Sequence, residues 1–117
     1  LFAAGLDQEA IAYYKEHWTP IIRNSTFMEH FVEDPNTSYC HGWGAGPVVS
    51  FAQYILGVSP QAPGCQRIAI RPHAGDLTWA AGTIPTPRGE IKISWKKEKG
   101  RIKLSYEAPD TIQVVQP

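Results

Sequence analysis

Residues 29–43 hold the side chains of this chain whose types could do chemistry: a carboxylate at Glu29, imidazoles at His30 and His41, and an indole at Trp43. A carboxylate can take a proton from water, a neutral imidazole both donates to and accepts from hydroxyls, and an indole offers a flat apolar face with a polar edge. Such a set is half of a catalytic site. Glu33 and Asp34, also in this stretch, belong to a polar run that reads as a surface loop, and the remaining single carboxylate cannot serve as both the acid and the base of a hydrolysis.

The elements around this stretch change period along the chain. Asp7 is expected to cap a helix beginning at Gln8, with Glu9 in its favourable first turn and Ile11, Tyr14 and Trp18 on one face. Thr19-Pro20 ends that helix. Ile21-Ile22 then leads to Thr26-Phe27-Met28-Glu29, and the polar run from Glu33 to Ser38 reads as a surface loop. If Glu29 lies on a helix, the adjacent His30 points elsewhere and is structural. Gly46-Pro47 opens another helix whose buried stripe is Val48, Phe51, Ala52 and Ile55, stopped by Gly57.

From Gln66 onward the apolar period is two. Ile68 and Ile70 alternate with Arg67 and Arg71, Leu77, Trp79 and Ala81 share one face, and Ile91, Ile93 and Trp95 alternate with Lys92, Ser94 and Lys96. Lys99-Gly100 is a hairpin signal, answered by Ile102, Leu104 and Tyr106, and a last strand is expected over residues 111–116. With no helix between these strands to make crossovers, they predict an antiparallel sandwich, with Trp79 and Trp95 as core residues. The fold class is therefore α+β: short N-terminal helices followed by an antiparallel β-sandwich, divided at the stiff Pro-Gln-Ala-Pro-Gly segment into residues 1–59 and 60–117.

Composition narrows the partners. Eleven acidic residues match eleven basic ones, so no long-range field draws the chain to nucleic acid or to an anionic membrane, and no apolar run is long enough to span one. Four Trp and five Tyr suit a neutral ligand such as a sugar, although they also serve ordinary cores. Cys40 and Cys65 have no second Cys near either, which leaves out a zinc knuckle or a redox pair and leaves a disulfide open. His17 and His73 lack partners at ligand spacing. Neither a metal nor another cofactor is implied. The Leu-Phe-Ala-Ala-Gly opening, without Met or a charged leader, and the shortness of 117 residues for both parts suggest a piece of a longer chain.

Five segments in order then carry a likeness: Thr-Phe-Met-Glu, Ser-Tyr-Cys-His-Gly-Trp, Tyr-Ile-Leu-Gly-Val-Ser-Pro, Pro-Gly-Cys-Gln-Arg-Ile-Ala-Ile-Arg-Pro and Thr-Pro-Arg-Gly-Glu-Ile-Lys-Ile-Ser-Trp. Together they resemble the C-terminal end of bacterial α-L-rhamnosidases. The resemblance implies the last helices of an (α/α)6 barrel followed by a small β-sandwich, and an enzyme that removes terminal α-L-rhamnose from glycosides with inversion. It places Glu29 at the general base and His41 at the sugar site, and implies a general acid in an earlier part of the barrel, outside this chain. Trp43 either stacks on a sugar face or plugs a gap between helices. The chain departs from many members in a shorter Glu-to-His loop and in Met28 where Trp is common, both on the aglycone side of the pocket. The implied partners are a rhamnose-containing glycoside and the remainder of the barrel. A reading of another class is a noncatalytic carbohydrate-binding or structural β-sandwich module.

Overall fold

The structure, a computed structural model, describes residues 1–23, 25–32 and 34–115 and divides into two units, Leu1–Ser50 and Phe51–Pro117. In the first unit a 3₁₀ turn over Phe2–Ala4 ends at Gly5 in the left-handed conformation, and helix α1 then runs over Asp7–His17. Leu6, not Asp7, occupies the cap position, because the preceding turn delivers Leu6 with its carbonyl already accepting from Ala10 N–H at 3.0 Å. Asp7 and Glu9 lie in the first turn and Lys15 and His17 in the last, each sign at the helix end that favours it. Ala10 and Ile11 are buried, and the Tyr14 hydroxyl donates to Ser50 Oγ at 2.7 Å.

Pro20 opens a second 3₁₀ turn over Thr19–Ile21 and so ends α1 as expected. A small hairpin follows, with β1 over Ile22–Arg23 and β2 over Thr26–Phe27, Ile22 opposite Phe27. A 3₁₀ turn over Gly42–Ala45 then leads into α2 over Gly46–Ser50. The buried stripe expected beyond it is only partly formed: Ile55 is buried and Ala52 half-buried, but Val48 and Phe51 are exposed. Pro47 turns inward in their place, and Phe51–Ile55 form a π turn, wider than the α-helix whose spacing the expectation assumed.

The second unit holds two three-stranded sheets. In one, β3 (Val58–Pro60) and β8 (Gln113–Val115) flank β4 (Arg67–Ile70). The other is a meander of β5 (Trp79–Thr86), β6 (Gly89–Glu98) and β7 (Arg101–Glu107). Lys99 and Gly100 both take positive φ between β6 and β7, the conformation that a two-residue hairpin needs. Val58, Ile68 and Ile70 from one sheet and Ile91 and Ile93 from the other close on Ile112 as a single apolar core. The fold class is α+β, and one pairing departs from the expected all-antiparallel arrangement: β8 runs parallel to β4, with Ile68 opposite Val114. The chain leaves β7 through a turn closed by Ile112 N–H on Pro109 O, crosses to the other sheet and enters it alongside β4. Of the last expected strand, residue 116 lies outside the described residues.

Trp95 and Trp79 part company. Trp95 is 1% exposed and its indole N–H donates to Ile55 O at 2.7 Å. Trp79 is 62% exposed, which corrects its expected place in the core. The register is the reason: Trp95 stands opposite Ala80, so Ala80, Gly82 and Ile84 face inward with it, and Trp79 faces outward opposite Lys96.

Gly57 is the tightest backbone approach of this unit, with φ 79° and the site of a Cβ only 2.2 Å from the Arg71 carbonyl carbon. Arg71 N–H donates to Gly57 O at 2.8 Å, which holds the two strands' ends together. Gly57→Ala is expected to destabilise this unit by more than about 1 kcal/mol, combining a positive φ with a backbone clash. A urea midpoint equal to that of wild type contradicts this. Among the described residues no helix is long and apolar enough to cross a membrane.

Candidate active site

Three short segments of the first unit bring the candidate residues together. Beyond β2 the chain continues extended, and its backbone bonds to a returning strand-like segment: Glu29 N–H donates to Ser38 O and His41 N–H to Phe27 O, each at 2.9 Å. The Thr26 hydroxyl also donates to Tyr39 O. Glu29 and His41 are therefore held side by side on neighbouring segments. Glu29 is not helical, so the expectation that a helix turns His30 away from it does not hold.

The excursion between these segments closes on itself. Asn36 N–H donates to Asp34 Oδ1 at 2.8 Å, Asp34 N–H to the Thr37 hydroxyl at 3.0 Å, and Thr37 N–H to Asp34 O at 3.0 Å. The Asn36 amide holds the Asp34 carboxyl below its usual pKa of 3.8, helped by the Thr37 hydroxyl and by His30 and opposed by desolvation. A depressed carboxylate pKa gives stability that is fully present above the unfolded value and is lost as pH falls through the folded value. The Asn36 amide is accordingly expected to exchange faster as pH drops below 3.8, relative to its intrinsic rate, in hydrogen-exchange NMR, and an Asp34→Ala variant to show that faster exchange at every pH. Equal protection in the variant contradicts this.

The Glu29 side chain is 33% exposed. Its Oε2 accepts from Ser38 N–H at 3.3 Å, His41 Nδ1 lies 3.9 Å from the same oxygen, and His30 Nε2 lies 3.7 Å from Oε1. The two imidazoles flank the carboxylate at distances that a water or a substrate hydroxyl can bridge. His41 also meets Trp43 edge to face, with ring centroids 6.0 Å apart. Trp43 is 92% exposed, with its indole face open among the described residues.

These groups line an open cleft of about 380 Å³ together with Trp18, Ile21, Phe31 and Gly44. Trp18 is fixed by its indole N–H on Gly44 O at 2.9 Å and by an edge-on contact with Phe31 at 5.1 Å. Gly44 has no room for a side chain, since a Cβ would lie 2.5 Å from Met28 O. Met28, next to Glu29, is buried. The sequence reading missed Trp18, Phe31, His30 and the Ser38 amide as neighbours of Glu29, and no apolar period around Met28, which directly follows Phe27, marks them. Among the described lining residues Glu29 is the one carboxylate. Chemically, the arrangement can hold an ionised carboxylate next to hydroxyl-binding imidazoles at the mouth of an aromatic-walled cleft. Cys40 and Cys65 are free thiols.

Comparison with known proteins relates the chain's sequence and fold to one group. Residues 57–115 match the bacterial alpha-L-rhamnosidase C-terminal domain family. The chain is 40% identical over 63 residues to an alpha-L-rhamnosidase of Alteromonas sp. (strain LOR), covering 53% of this chain and 7% of that protein. The crystal structure of the GH78 family rhamnosidase of Bacillus sp. GL1 superimposes with a TM-score of 0.81 at 31% identity, over 98% of this chain and 13% of that one. The alpha-L-rhamnosidase of Dictyoglumus thermophilum gives a TM-score of 0.67 at 26% identity, over 77% of this chain and 11% of that one. The chain thus spans only a small part of the length of the relatives it matches. With the family match extending over half of its residues, and the Bacillus rhamnosidase sharing its fold almost throughout, the chain belongs to the bacterial α-L-rhamnosidases, in their C-terminal region.

Proposed function

We propose that this chain supplies the general base and part of the sugar pocket of an inverting α-L-rhamnosidase. Residues 1–59 then form the last helices of the catalytic barrel and residues 60–117 the C-terminal sandwich domain that follows them in the chain. The observation that carries the reading is the setting of Glu29: at the cleft surface, held by the Ser38 amide, and flanked by two imidazoles. This setting is polar, which suits a carboxylate that works in its ionised form.

In the proposed step a water lies between Glu29 and the anomeric carbon of a bound α-L-rhamnoside. Glu29 takes one proton from that water as its oxygen bonds to the anomeric carbon from the face opposite the leaving group. The glycosidic oxygen departs with the bonding electron pair and takes a proton from an acid. Inverting glycosidases place the two carboxyl groups roughly 6.5 to 9.5 Å apart to make room for the water. Since Glu29 is alone in its cleft, the acid is assigned to polypeptide outside this chain, and the isolated chain is inactive. His41, one-third exposed beside Glu29, binds rhamnose hydroxyls, and exposed Trp43 stacks on the sugar.

The experiment is hydrolysis of an aryl α-L-rhamnoside by the intact protein that carries this chain, wild type against Glu29→Gln. Loss of turnover with retained folding supports the reading. Undiminished turnover overturns it and leaves the chain a scaffold.

A further inference from the structure

The outward face of the meander sheet carries an arrangement that the hydrolytic reading does not use. Reading the register across β6 and β7, three charged rows lie on that face: Lys92 opposite Glu107, Glu98 opposite Arg101, and Lys96 opposite Lys103. The first two rows each pair opposite signs, with Lys92 Nζ 3.6 Å from Glu107 Oε2. The third sets two lysines opposite each other. Like charges facing across a sheet destabilise it, and neither the Lys96 nor the Lys103 side chain has an ion-pair or hydrogen-bond partner among the described residues.

The same row continues onto β5 at Trp79, which stands opposite Lys96 with its indole 62% exposed. The next row is Ala81, Ser94 and Ser105, all short side chains. A depression of about 380 Å³ runs over these two rows, lined by Trp79, Lys96, Lys103, Ser94 and Ser105, with Glu98 of the neighbouring row at its edge. Three strands span about 10 Å, the width of one or two pyranose rings. The two rows therefore set an open indole face, two hydroxyls and two lysines side by side on a flat surface.

We propose that this face binds an anionic saccharide, with a sugar ring stacked on Trp79 and its carboxylate or sulfate between Lys96 and Lys103. An anion there relieves the repulsion that the sheet otherwise carries, and an indole selects a ring over an extended acidic peptide. The site is separate from Glu29 and holds whether or not Glu29 is catalytic.

The test measures binding to the intact protein by calorimetry at low salt, using rhamnose-free probes so that the Glu29 cleft is not reported. The probes are an oligogalacturonide, a sulfated galactan oligosaccharide of equal length, a neutral galactan oligosaccharide and poly-glutamate. At least one of the two anionic saccharides is expected to bind tenfold or more tightly than the neutral one, and the tighter of the two identifies the anion. Trp79→Ala is expected to weaken that binding at least tenfold. Lys103→Glu restores an opposite-sign row, so it is expected to abolish binding while keeping or raising the unfolding midpoint, which separates lost binding from lost folding. Raised salt weakens the interaction, because the lysines are exposed. Neutral probe bound as tightly as both anionic ones, poly-glutamate bound tightly without need of Trp79, or either variant within twofold of wild type overturns the proposal.

Discussion

Glu29→Gln is expected to lower kcat on an aryl α-L-rhamnoside by roughly 10²- to 10⁴-fold, the usual contribution of a positioned general base, with little change in KM. The substitution keeps the shape of the side chain and an oxygen that can still accept from Ser38 N–H, so the local structure is retained. What it removes is the ability to take a proton. A loss made only in the transition state appears in kcat and kcat/KM alike, whereas a loss of sugar binding appears in KM. His41→Ala is the contrasting case, in which KM rises. Turnover by Glu29→Gln within tenfold of wild type contradicts the role assigned to this carboxylate.

The second large effect is on stability. Trp95→Ala removes the largest fully buried side chain of the sandwich and leaves the Ile55 carbonyl without its donor. Truncating a buried Trp costs about 3–5 kcal/mol, and an unsatisfied buried acceptor adds to that. Since whole domains are stable by only about 5–15 kcal/mol, the second unit of the variant is expected to be largely unfolded in mild urea. Trp95→Phe fills much of the space but cannot donate to Ile55, and it is expected to fall between the two. Urea unfolding followed by circular dichroism checks both, and a Trp95→Ala midpoint matching wild type contradicts the packing described for this residue.

The sandwich was legible where side-chain size and burial agree. Ile91, Ile93 and Trp95 alternate with polar neighbours and are buried as that alternation implies, and the Lys99-Gly100 turn forms where expected. On β5 the same reasoning chose the wrong face. Its inward residues include Ala80 and Gly82, both far smaller than the outward Trp79, and Leu56 fills the space beneath Gly82, where a Cβ would lie 2.6 Å from Leu56 Cδ1. A small residue facing a large one across the core leaves no apolar period to read. Parallel pairing of β8 with β4 was equally hidden, since it depends on a crossover between sheets and not on either strand's own pattern.

For the cleft, residue type drew attention to Glu29, His41 and Trp43, and family likeness gave them roles. Their geometry was not legible. It arises from backbone bonds between residues 27–29 and 38–41, closed by a loop whose Asp34 and Thr37 turn the chain back. No periodicity marks such a closure, and this is why His30 was expected to lie apart from Glu29 when its imidazole flanks it at 3.7 Å.

The most direct test of the base assignment is chemical rescue. In Glu29→Ala the space left by the carboxylate admits azide, a nucleophile that needs no proton removed, so added azide is expected to restore turnover of an activated aryl α-L-rhamnoside. Proton NMR of the early product should show β-L-rhamnosyl azide, formed by attack opposite the leaving group. No rescue by azide, or an azide product with retained α configuration, contradicts Glu29 as the base of an inverting reaction.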